Sequence, residues 1–263
     1  MNIAIIFASG KGTRLGAEIP KQFLKIYGKP ILVHTLELFQ YHKMIDKIYI
    51  STLKEYIEYV QKMCDDYNLS KVSGIVEGGE TAQDSIYNAL KLAQSQNAGN
   101  SIVLIHDGVR PFVDSDVITN NIEGVRKYGN AITCVPAYET ILISNNGEKI
   151  DDVTKRKETF VGQAPQSFYL KDIIEAHEII QQRPQRYEDM VDACTICRTL
   201  GKDVYLVEGN RGNIKVTTPE DVYIFKAFLE YKENEQTFGL GRTNNIGIPF
   251  GAIDNNDGGK NKC

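Results

Sequence analysis

The sequence predicts an α/β protein, built on a doubly wound and mostly parallel sheet that carries an inserted β-hairpin arm. Short apolar runs suited to buried parallel strands recur along the first half of the chain, and each of the first four precedes a segment with helical spacing. At 263 residues and 42% hydrophobic content, the chain can bury a full core. The five runs are NIAIIFA, DKIYIST, VSGIV, SIVLIH and AITCVP.

The first helices have recognisable beginnings. Pro30 stands where a first helical turn tolerates proline, and four apolar residues follow on one face of the predicted helix: Ile31, Leu32, Leu36 and Phe39. After SIVLIH, a helix should start near Asp114 or Ser115. Alternating strands and helices place ligands at the carboxyl ends of the strands.

Between about residues 136 and 168 the helical pattern stops. The stretch YETILISNNGEKIDDVTKRKETFVGQAPQSF alternates like extended strands around an Asn-Asn-Gly turn, which predicts the inserted hairpin arm. Helical segments resume from Leu170, a short strand VYLVEG follows, and Thr218 before Pro219 begins another helix.

The C-terminal composition divides the chain into a domain of residues 1–232 and a tail. Residues 233–263 are rich in Gly and Asn without a sustained period, so we expect a flexible tail. Part of this tail could dock onto the domain through three apolar side chains: Ile246, Ile248 and Phe250.

Charge and hydropathy exclude several classes of protein. The net charge is −4 and the pI about 5.7, which argues against a nucleic-acid coating protein. The apolar run at the N-terminus is too short to span a bilayer and lacks the basic flank of a signal peptide. We therefore expect a cytoplasmic protein with no membrane partner.

The cysteines do not form a disulfide framework, because there are five of them, spread widely. Cys194 and Cys197 form a CxxC pair without a second pair or nearby histidines, inside a helical pattern. We interpret them as packed helical thiols, with a zinc site or a redox motif as the alternatives.

The loop ASGKGTRLGAEIPKQF after the first strand is a candidate phosphate cradle. Gly10 and Gly12 let the backbone approach a ligand, but Leu15 replaces the third glycine of a dinucleotide fingerprint and no Walker A ending follows. Three cations crowd this loop: Lys11, Arg14 and Lys21. Their repulsion favours an anionic ligand such as a triphosphate, and the alternative is a solvated basic turn.

Two further loops should meet the same crevice. The fourth strand ends in HDGVRPF, where Asp107 can hold Mg²⁺ against phosphate oxygens, cap a helix or pair with Arg110, and His106 is a packing residue. The loop VEGGETAQDS offers a base or ribose the backbone and hydroxyl groups of Gly78, Gly79 and Ser85.

With these loops in place, the chain from Met1 to about Tyr231 resembles the cytidylyltransferases that act on methylerythritol phosphate and on ribitol 5-phosphate. The matching stretches, in order, are ASGKGTRLG with IPKQF, EGG followed by DS, HDGVRPF, GQAPQSF and GNIKVTTPEDV. The resemblance implies a Rossmann-like nucleotidyltransferase fold, Mg²⁺-dependent transfer of CMP from CTP to a polyol phosphate, and a homodimer formed through the arm.

The resemblance also implies roles for individual residues. Arg14, Lys21 and Lys215 would be the catalytic residues that hold the reacting phosphates. The CTP site would comprise Ala8, Ser9, Gly10, Gly12, Gly78, Gly79, Ser85 and Asp107, with Asp107 also the metal ligand. Thr140 and Arg156 would bind the polyol phosphate from the neighbouring subunit.

Three departures from the family pattern bear on the acceptor. Ala82 replaces an arginine, Gly212 an aspartate that is usual in the erythritol enzymes, and Ala164 a common threonine. Together with GQ in GQAPQ and the DAC at Asp192, these favour D-ribitol 5-phosphate, which a reductase would supply. The alternatives are the methylerythritol phosphate enzyme and a non-catalytic nucleotide-binding subunit.

Overall fold

The structure is a computed structural model that describes residues 1–10 and 19–238. Residues Met1–Tyr223 form one compact unit around a seven-stranded sheet, accompanied by two small two-stranded sheets. The strands in chain order are β1 (Asn2–Ala8), β2 (Lys25–Ile26), β3 (Lys29–Pro30), β4 (Lys47–Thr52), β5 (Val72–Glu77), β6 (Ile102–Asp107), β7 (Asn130–Pro136), β8 (Leu142–Ile143), β9 (Asp152–Val153), β10 (Phe160–Tyr169) and β11 (Leu206–Glu208).

The central sheet has the order β11-β7-β10-β6-β1-β4-β5. Strand β10 runs antiparallel to both of its neighbours, and the other neighbouring pairs are parallel. The five strands predicted from apolar runs are β1, β4, β5, β6 and β7. The prediction of a mostly parallel sheet is therefore confirmed.

Helices cover both faces of this sheet. One core contains α1 (Ile31–Gln40), α2 (Ile57–Asp66) and α4 (Ser115–Tyr128), and the other contains α3 (Ala82–Gln96), α5 (Leu170–Gln181) and α6 (Ala193–Thr199). Strand β1 alternates between them, with Ala4 and Ile6 in the first core and Ile3 and Ile5 in the second. This arrangement confirms the doubly wound prediction, and α1 and α4 begin where the sequence placed them.

The inserted arm is shorter than predicted. Strands β8 and β9 pair as an antiparallel hairpin, as expected, but each spans only two residues. Residues 160–168 were assigned to the arm and instead belong to β10, which lies between β6 and β7 in the central sheet. Extended alternation fits either location, because only the hydrogen bonds to β6 and β7 distinguish a central strand from an arm.

The C-terminal boundary also differs from the prediction. Helix α7 (Pro219–Phe238) continues through residues 233–238, where we expected the flexible tail to begin. The residues after position 232 include Glu and Gln and no Gly before position 239, so local propensity sustains the helix. Ile224 onwards is assigned to a second unit, and Ile246, Ile248 and Phe250 lie outside the described residues.

Within the described ranges, no helix combines the length and apolar character needed to cross a membrane. The CxxC prediction is confirmed, because Cys194 and Cys197 are free thiols on α6 that pack in a hydrophobic core. Burial raises the pKa of Cys197 to about 11, so this thiol stays protonated at neutral pH.

A buried network of side-chain hydrogen bonds stabilises the position of β10 in the sheet. Asn121 of α4 donates to the carbonyl of Val117 (2.9 Å) and to the hydroxyl of Thr133 (2.8 Å), and Thr133 donates to the carbonyl of Pro165 (2.6 Å). Ser167 of β10 donates to Asn121 Oδ1 at 2.9 Å. The side chain of Asn121 therefore links one helix to two strands at positions without solvent exposure.

We predict that Asn121→Ala lowers the free energy of unfolding by about 2–4 kcal/mol, because the hydroxyl of Ser167 loses its acceptor and a cavity forms. Urea denaturation followed by circular dichroism measures the change. Asn120→Ala on the exposed face of the same helix is the matched control, expected within about 0.5 kcal/mol of the parent. Equal midpoints for the two variants would contradict the role of the network.

Candidate functional site

A cavity of about 610 Å³ opens at the carboxyl ends of the central parallel strands. This is the edge of the sheet where the sequence predicted a ligand. Its lining comprises Phe7, Ala8, Ser9, Gly10, Lys21, Gln22, Leu53, Gly79, Glu80, Thr81, Ala82, Ser85, Asp107, Val109, Lys215 and Thr217. The glycine loop and four further segments, at positions 53, 79–85, 107–109 and 215–217, thus contribute to one site.

The side chain of Gln22 holds the two ends of the glycine loop together. It is 1% exposed, and its amide nitrogen donates to the carbonyls of Ala8 (2.6 Å) and Gly10 (3.1 Å). The adjacent Lys21 begins a short 3-10 helix, so this anchor also brings Lys21 to the cavity. The predicted site residues Gly12 and Arg14 lie outside the described residues.

The loop after β5 is packed closely against the glycine loop. A Cβ atom at Gly78 would collide with Ser9 Oγ, and one at Gly79 would collide with the Asp84 side chain. The amide of Gly79 donates to Ser85 Oγ at 3.0 Å, and Ser85 in turn donates to the carbonyl of Thr81. These glycines are therefore required for close packing, and Ser85 shapes the loop as well as lining the cavity.

Asp107, at the end of β6, forms a buried ion cluster with two cations. Its Oδ2 accepts a hydrogen bond from Arg110 Nε at 2.7 Å, and its Oδ1 lies 2.5 Å from Lys215 Nζ. The Asp107 side chain is 8% exposed, that of Arg110 14% and that of Lys215 42%. Lys215 is therefore the member of the cluster that faces the open cavity.

The charges of this cluster determine its protonation. Burial alone would raise the pKa of Asp107, but the neighbouring Lys215 and Arg110 outweigh it and lower the pKa to about 2. Asp107 is consequently ionised throughout the neutral range, and the pairing with Arg110 predicted as one alternative is present.

Lys215 owes its position to the segment that precedes it. Asn213 is fully buried and its amide donates to the carbonyl of Ala164 at 2.6 Å, while its own carbonyl accepts from Arg110 at 2.8 Å. Three residues later, the backbone amide of Val216 donates to the carbonyl of Val109 at 2.9 Å. Lys215 is held between these two anchors.

The donor set around Asp107 suits a metal ion only if the ligand supplies most of the coordination. Among residues 1–10 and 19–238, no group of three or more His, Cys, Asp or Glu side chains is arranged to bind a metal. Mg²⁺ is often bound by one or two carboxylates together with substrate phosphates and water. Asp107 can serve as such a single carboxylate when phosphates draw Lys215 towards themselves.

In the described part of the site, His106 is not suited to act as a general base. His106 is fully buried, packs with its ring centroid 5.0 Å from that of Phe39, and has its pKa lowered by burial to about 4. Its Nε2 lies 3.1 Å from the carbonyl of Arg110. The packing role predicted for His106 is confirmed.

A second cavity of about 190 Å³ adjoins the first. Both cavities are lined by Phe7, Ala82, Asp107 and Lys215. The rest of its wall comprises Gln83, Ile86, Ile105, Arg110, Gly162, Gln163, Ala164, Gln166, Val191, Asp192 and Ala193. Asp107 and Lys215 therefore lie at the junction between two binding spaces.

Thr140 and Arg156 lie on the arm and are not part of either cavity lining. Arg156 Nη2 donates to Thr140 Oγ1 at 3.3 Å, and both residues are exposed. The structure thus brings these two predicted residues together, but outside the linings of the two cavities.

Sequence reasoning did not assign functions to Gln22 or Gln83. Gln22 stands in the IPKQF motif, so its place beside Lys21 was the available signal. No sequence pattern indicated a role for Gln83, since polar residues are common in the first turn of an exposed helix. Its side chain is only 2% exposed, and this burial comes from tertiary packing.

The two cavities can bind an extended anionic ligand beside a smaller polar one. Lys21 and Lys215 neutralise negative charge in the first cavity, and the N-terminus of α3 at Ala82 adds a partial positive charge. Such a site favours reactions that need positioning and charge neutralisation.

The chain is similar to known cytidylyltransferases over most of its length. Residues 2–231 match the model of the IspD family, described as 2-C-methyl-D-erythritol 4-phosphate cytidylyltransferase. A ribitol-5-phosphate cytidylyltransferase of Vibrio parahaemolyticus is 43% identical over 240 residues, which cover 91% of this chain and 100% of that protein. A 2-C-methyl-D-erythritol 4-phosphate cytidylyltransferase of Clostridium botulinum is 43% identical over 229 residues, which cover 87% and 97%.

Solved structures share the fold. The 4-diphosphocytidyl-2C-methyl-D-erythritol synthase of Anaerococcus prevotii superposes with a TM-score of 0.74 at 27% identity, covering 88% of this chain and 96% of that one. The Francisella tularensis 2-C-methyl-D-erythritol 4-phosphate cytidylyltransferase gives 0.72 at 27% identity, covering 88% and 99%. This chain therefore belongs to the IspD family of cytidylyltransferases, and it is an enzyme.

Proposed function

We propose that this enzyme transfers CMP from CTP to D-ribitol 5-phosphate, giving CDP-ribitol and pyrophosphate. The observation that carries the proposal is the pair of adjoining cavities with Asp107 and Lys215 at their junction. CTP would occupy the larger cavity, and the acceptor would approach from the smaller one. The relative from Vibrio parahaemolyticus, matched over its full length, supports ribitol phosphate as the acceptor.

The chemistry requires no catalytic base. A phosphate oxygen of the acceptor attacks the α-phosphorus of CTP, the new phosphorus–oxygen bond forms, and the bond to the β-phosphate breaks to release pyrophosphate. The attacking oxygen is already ionised near neutral pH, so catalysis reduces to alignment and charge neutralisation. Lys21 and Lys215 supply fixed positive charge along the cavity, and Arg14 is proposed to do so with them.

We further propose that Mg²⁺ assists this reaction, with Asp107 as its protein ligand and the CTP phosphates as its other partners. The ion would neutralise the triphosphate and stabilise the departing pyrophosphate. Asp107 supports this role because it remains ionised, with its pKa lowered to about 2, at the wall of both cavities.

The arm is proposed to complete the acceptor site of a second subunit. Its hairpin exposes apolar side chains that a monomer leaves in water: Ile141, Leu142, Ile143, Ile150 and Val153. Exposed apolar side chains grouped on one hairpin favour association. In a homodimer paired through the arms, Thr140 and Arg156 would reach the acceptor phosphate bound by the partner, and a reductase would supply that acceptor.

The alternative acceptor is 2-C-methyl-D-erythritol 4-phosphate. The Clostridium botulinum relative bearing that activity in its name has the same 43% identity as the ribitol relative, over slightly fewer residues. Gly212 stands where the erythritol enzymes usually carry an aspartate, which favours the ribitol acceptor.

We predict that pyrophosphate is released from CTP fastest with D-ribitol 5-phosphate. The assay runs D-ribitol 5-phosphate, 2-C-methyl-D-erythritol 4-phosphate and glycerol 3-phosphate in parallel at equal concentrations. Purine nucleotides should react far more slowly, because we expect backbone groups around Ala8 and Gly78 to recognise cytosine and to reject a larger base. Fastest turnover of methylerythritol phosphate would establish the alternative, and equal rates with ATP would contradict the cytidylyl specificity.

We predict that Asp107→Asn lowers kcat by about 10²–10³-fold, because the amide neither binds Mg²⁺ well nor holds Lys215 and Arg110 by charge. Steady-state kinetics at several Mg²⁺ concentrations measure the change. Asp203→Asn, at an exposed aspartate paired with Arg198, is the control and should retain wild-type rates. The metal role would be refuted by undiminished wild-type activity after removal of all divalent cations.

The contribution of Asp107 to the stability of the fold depends on pH. A pKa lowered in the folded state means that the ion cluster stabilises the fold above the ordinary pKa of an aspartate, and this contribution is lost as the pH falls towards about 2. Between pH 5 and pH 8, titration of Asp107 should therefore leave no inflection in the activity profile.

We predict that Arg156→Ala raises KM for the polyol phosphate about tenfold or more and leaves KM for CTP nearly unchanged, because arginine can bind two phosphate oxygens at once. Lys157→Ala, the exposed neighbour on the arm, is the matched control. Mixing Arg156→Ala with Lys21→Ala protomers should restore activity if the site is shared between subunits. An unchanged KM for every polyol phosphate would remove the arm from the mechanism.

A further inference from the structure

Gln83 is the polar side chain that distinguishes the second cavity. Every other polar side chain of that cavity wall takes part in a hydrogen bond or an ion pair: Asp107 with Lys215 and Arg110, Gln166 with Asp192, and Gln163 with the carbonyl of Asn210. The amide nitrogen and the amide oxygen of Gln83 both lack a hydrogen-bond partner among the described residues.

This situation is unusual for a buried amide. Gln83 lies in the first turn of α3 and is 2% exposed, so solvent does not hydrate it freely. Buried polar groups in folded proteins are nearly always paired, because an unpaired one retains the cost of leaving water. A side chain with two unpaired atoms at a cavity wall therefore indicates a group that a ligand completes.

The surroundings indicate the chemistry of that ligand. Arg110 and Lys215 supply the cationic part of the wall, which suits a phosphate. Apolar side chains form another part and suit a carbon chain: Ile86, Ile105, Ala164 and Val191. An amide can donate and accept at the same time, as a hydroxyl group can, whereas an ionised phosphate oxygen only accepts. The unpaired amide thus matches a hydroxyl group on a carbon chain.

We propose that Gln83 is a specificity-determining residue whose side-chain amide binds a hydroxyl group of the polyol acceptor. This inference rests on the proposed function and adds to it the residue that recognises a hydroxyl group of the polyol. A site that pairs a buried polar group with a substrate hydroxyl discriminates strongly against acceptors that lack that hydroxyl.

The test compares Gln83→Met, which keeps the length of the side chain and removes the amide, with the wild-type enzyme. KM for D-ribitol 5-phosphate should rise about tenfold, and KM for CTP should change less than about twofold. Gln61→Met, at an exposed position of α2, is the matched control and should leave both constants unchanged.

Deoxygenated acceptors separate recognition from a structural effect. In the wild-type enzyme, one of the monodeoxy analogues of D-ribitol 5-phosphate should lose about tenfold in kcat/KM relative to the parent acceptor. In Gln83→Met the same analogue and the parent should react with similar efficiency. A residue that only supports the fold would reduce both acceptors equally and leave their ratio unchanged.

Stability provides an independent readout. Removal of an unpaired buried amide in favour of an apolar side chain of similar size should raise the Tm of the ligand-free Gln83→Met enzyme. A lowered Tm with an unchanged ratio between parent and deoxy acceptors would overturn the inference. If Gln83→Met does not fold, the same comparisons are made on Gln83→Asn, whose shortened amide should also lose discrimination.

The outcomes keep this inference apart from the proposed function. If the wild-type enzyme turns over no polyol phosphate, the proposed function fails. If it does so, and Gln83→Met retains both KM for the acceptor and the discrimination between analogues, the assignment of Gln83 alone is refuted.

Discussion

The ionised carboxylate of Asp107, held between Arg110 and Lys215, is the interaction on which the site depends. It connects the end of β6 with the loop that follows it and with the segment after β11. Burial of a lone carboxylate would favour its neutral form, and a neutral side chain would not attract either cation. The cluster thereby fixes Lys215 at the junction of the two cavities while leaving its charge available to a ligand.

The antiparallel strand β10 makes the second cavity possible. By entering the sheet beside β6, it brings residues 162–166 next to the carboxyl end of that strand. Asn213 then joins the same segment to Arg110, through the carbonyl of Ala164 on one side and its own carbonyl on the other. The position of β10 in the sheet, the hydrogen bonds of Asn213 and the second cavity therefore depend on one another.

This arrangement suits an enzyme that works by alignment. The described site has cations, helix-terminal amides and the ionised carboxylate of Asp107 at the junction of the two cavities, and its histidine at the end of β6 is buried and neutral. Transfer of a nucleotidyl group between phosphates needs little more than these features. Recognition of the acceptor is a separate task, which our proposal assigns to the second cavity and to the arm.

The sequence by itself determined the features that depend on local patterns. Apolar periodicity located β1, β4, β5, β6 and β7, and the glycine and charge content of the loops located the edge of the sheet at which the larger cavity opens. Both patterns can be recognised in the sequence because strand burial and loop geometry constrain residues that are neighbours along the chain.

Tertiary structure decided the features that depend on distant partners. The alternation in residues 160–168 did not reveal a central strand, because its two neighbours come from elsewhere in the chain. Arg110 meets Asn213 across 103 positions, and no local pattern encodes such a pairing. The unpaired amide of Gln83 is likewise visible only after folding, since burial is a property of the packed molecule and a hydrogen bond left unmade has no signature in the sequence.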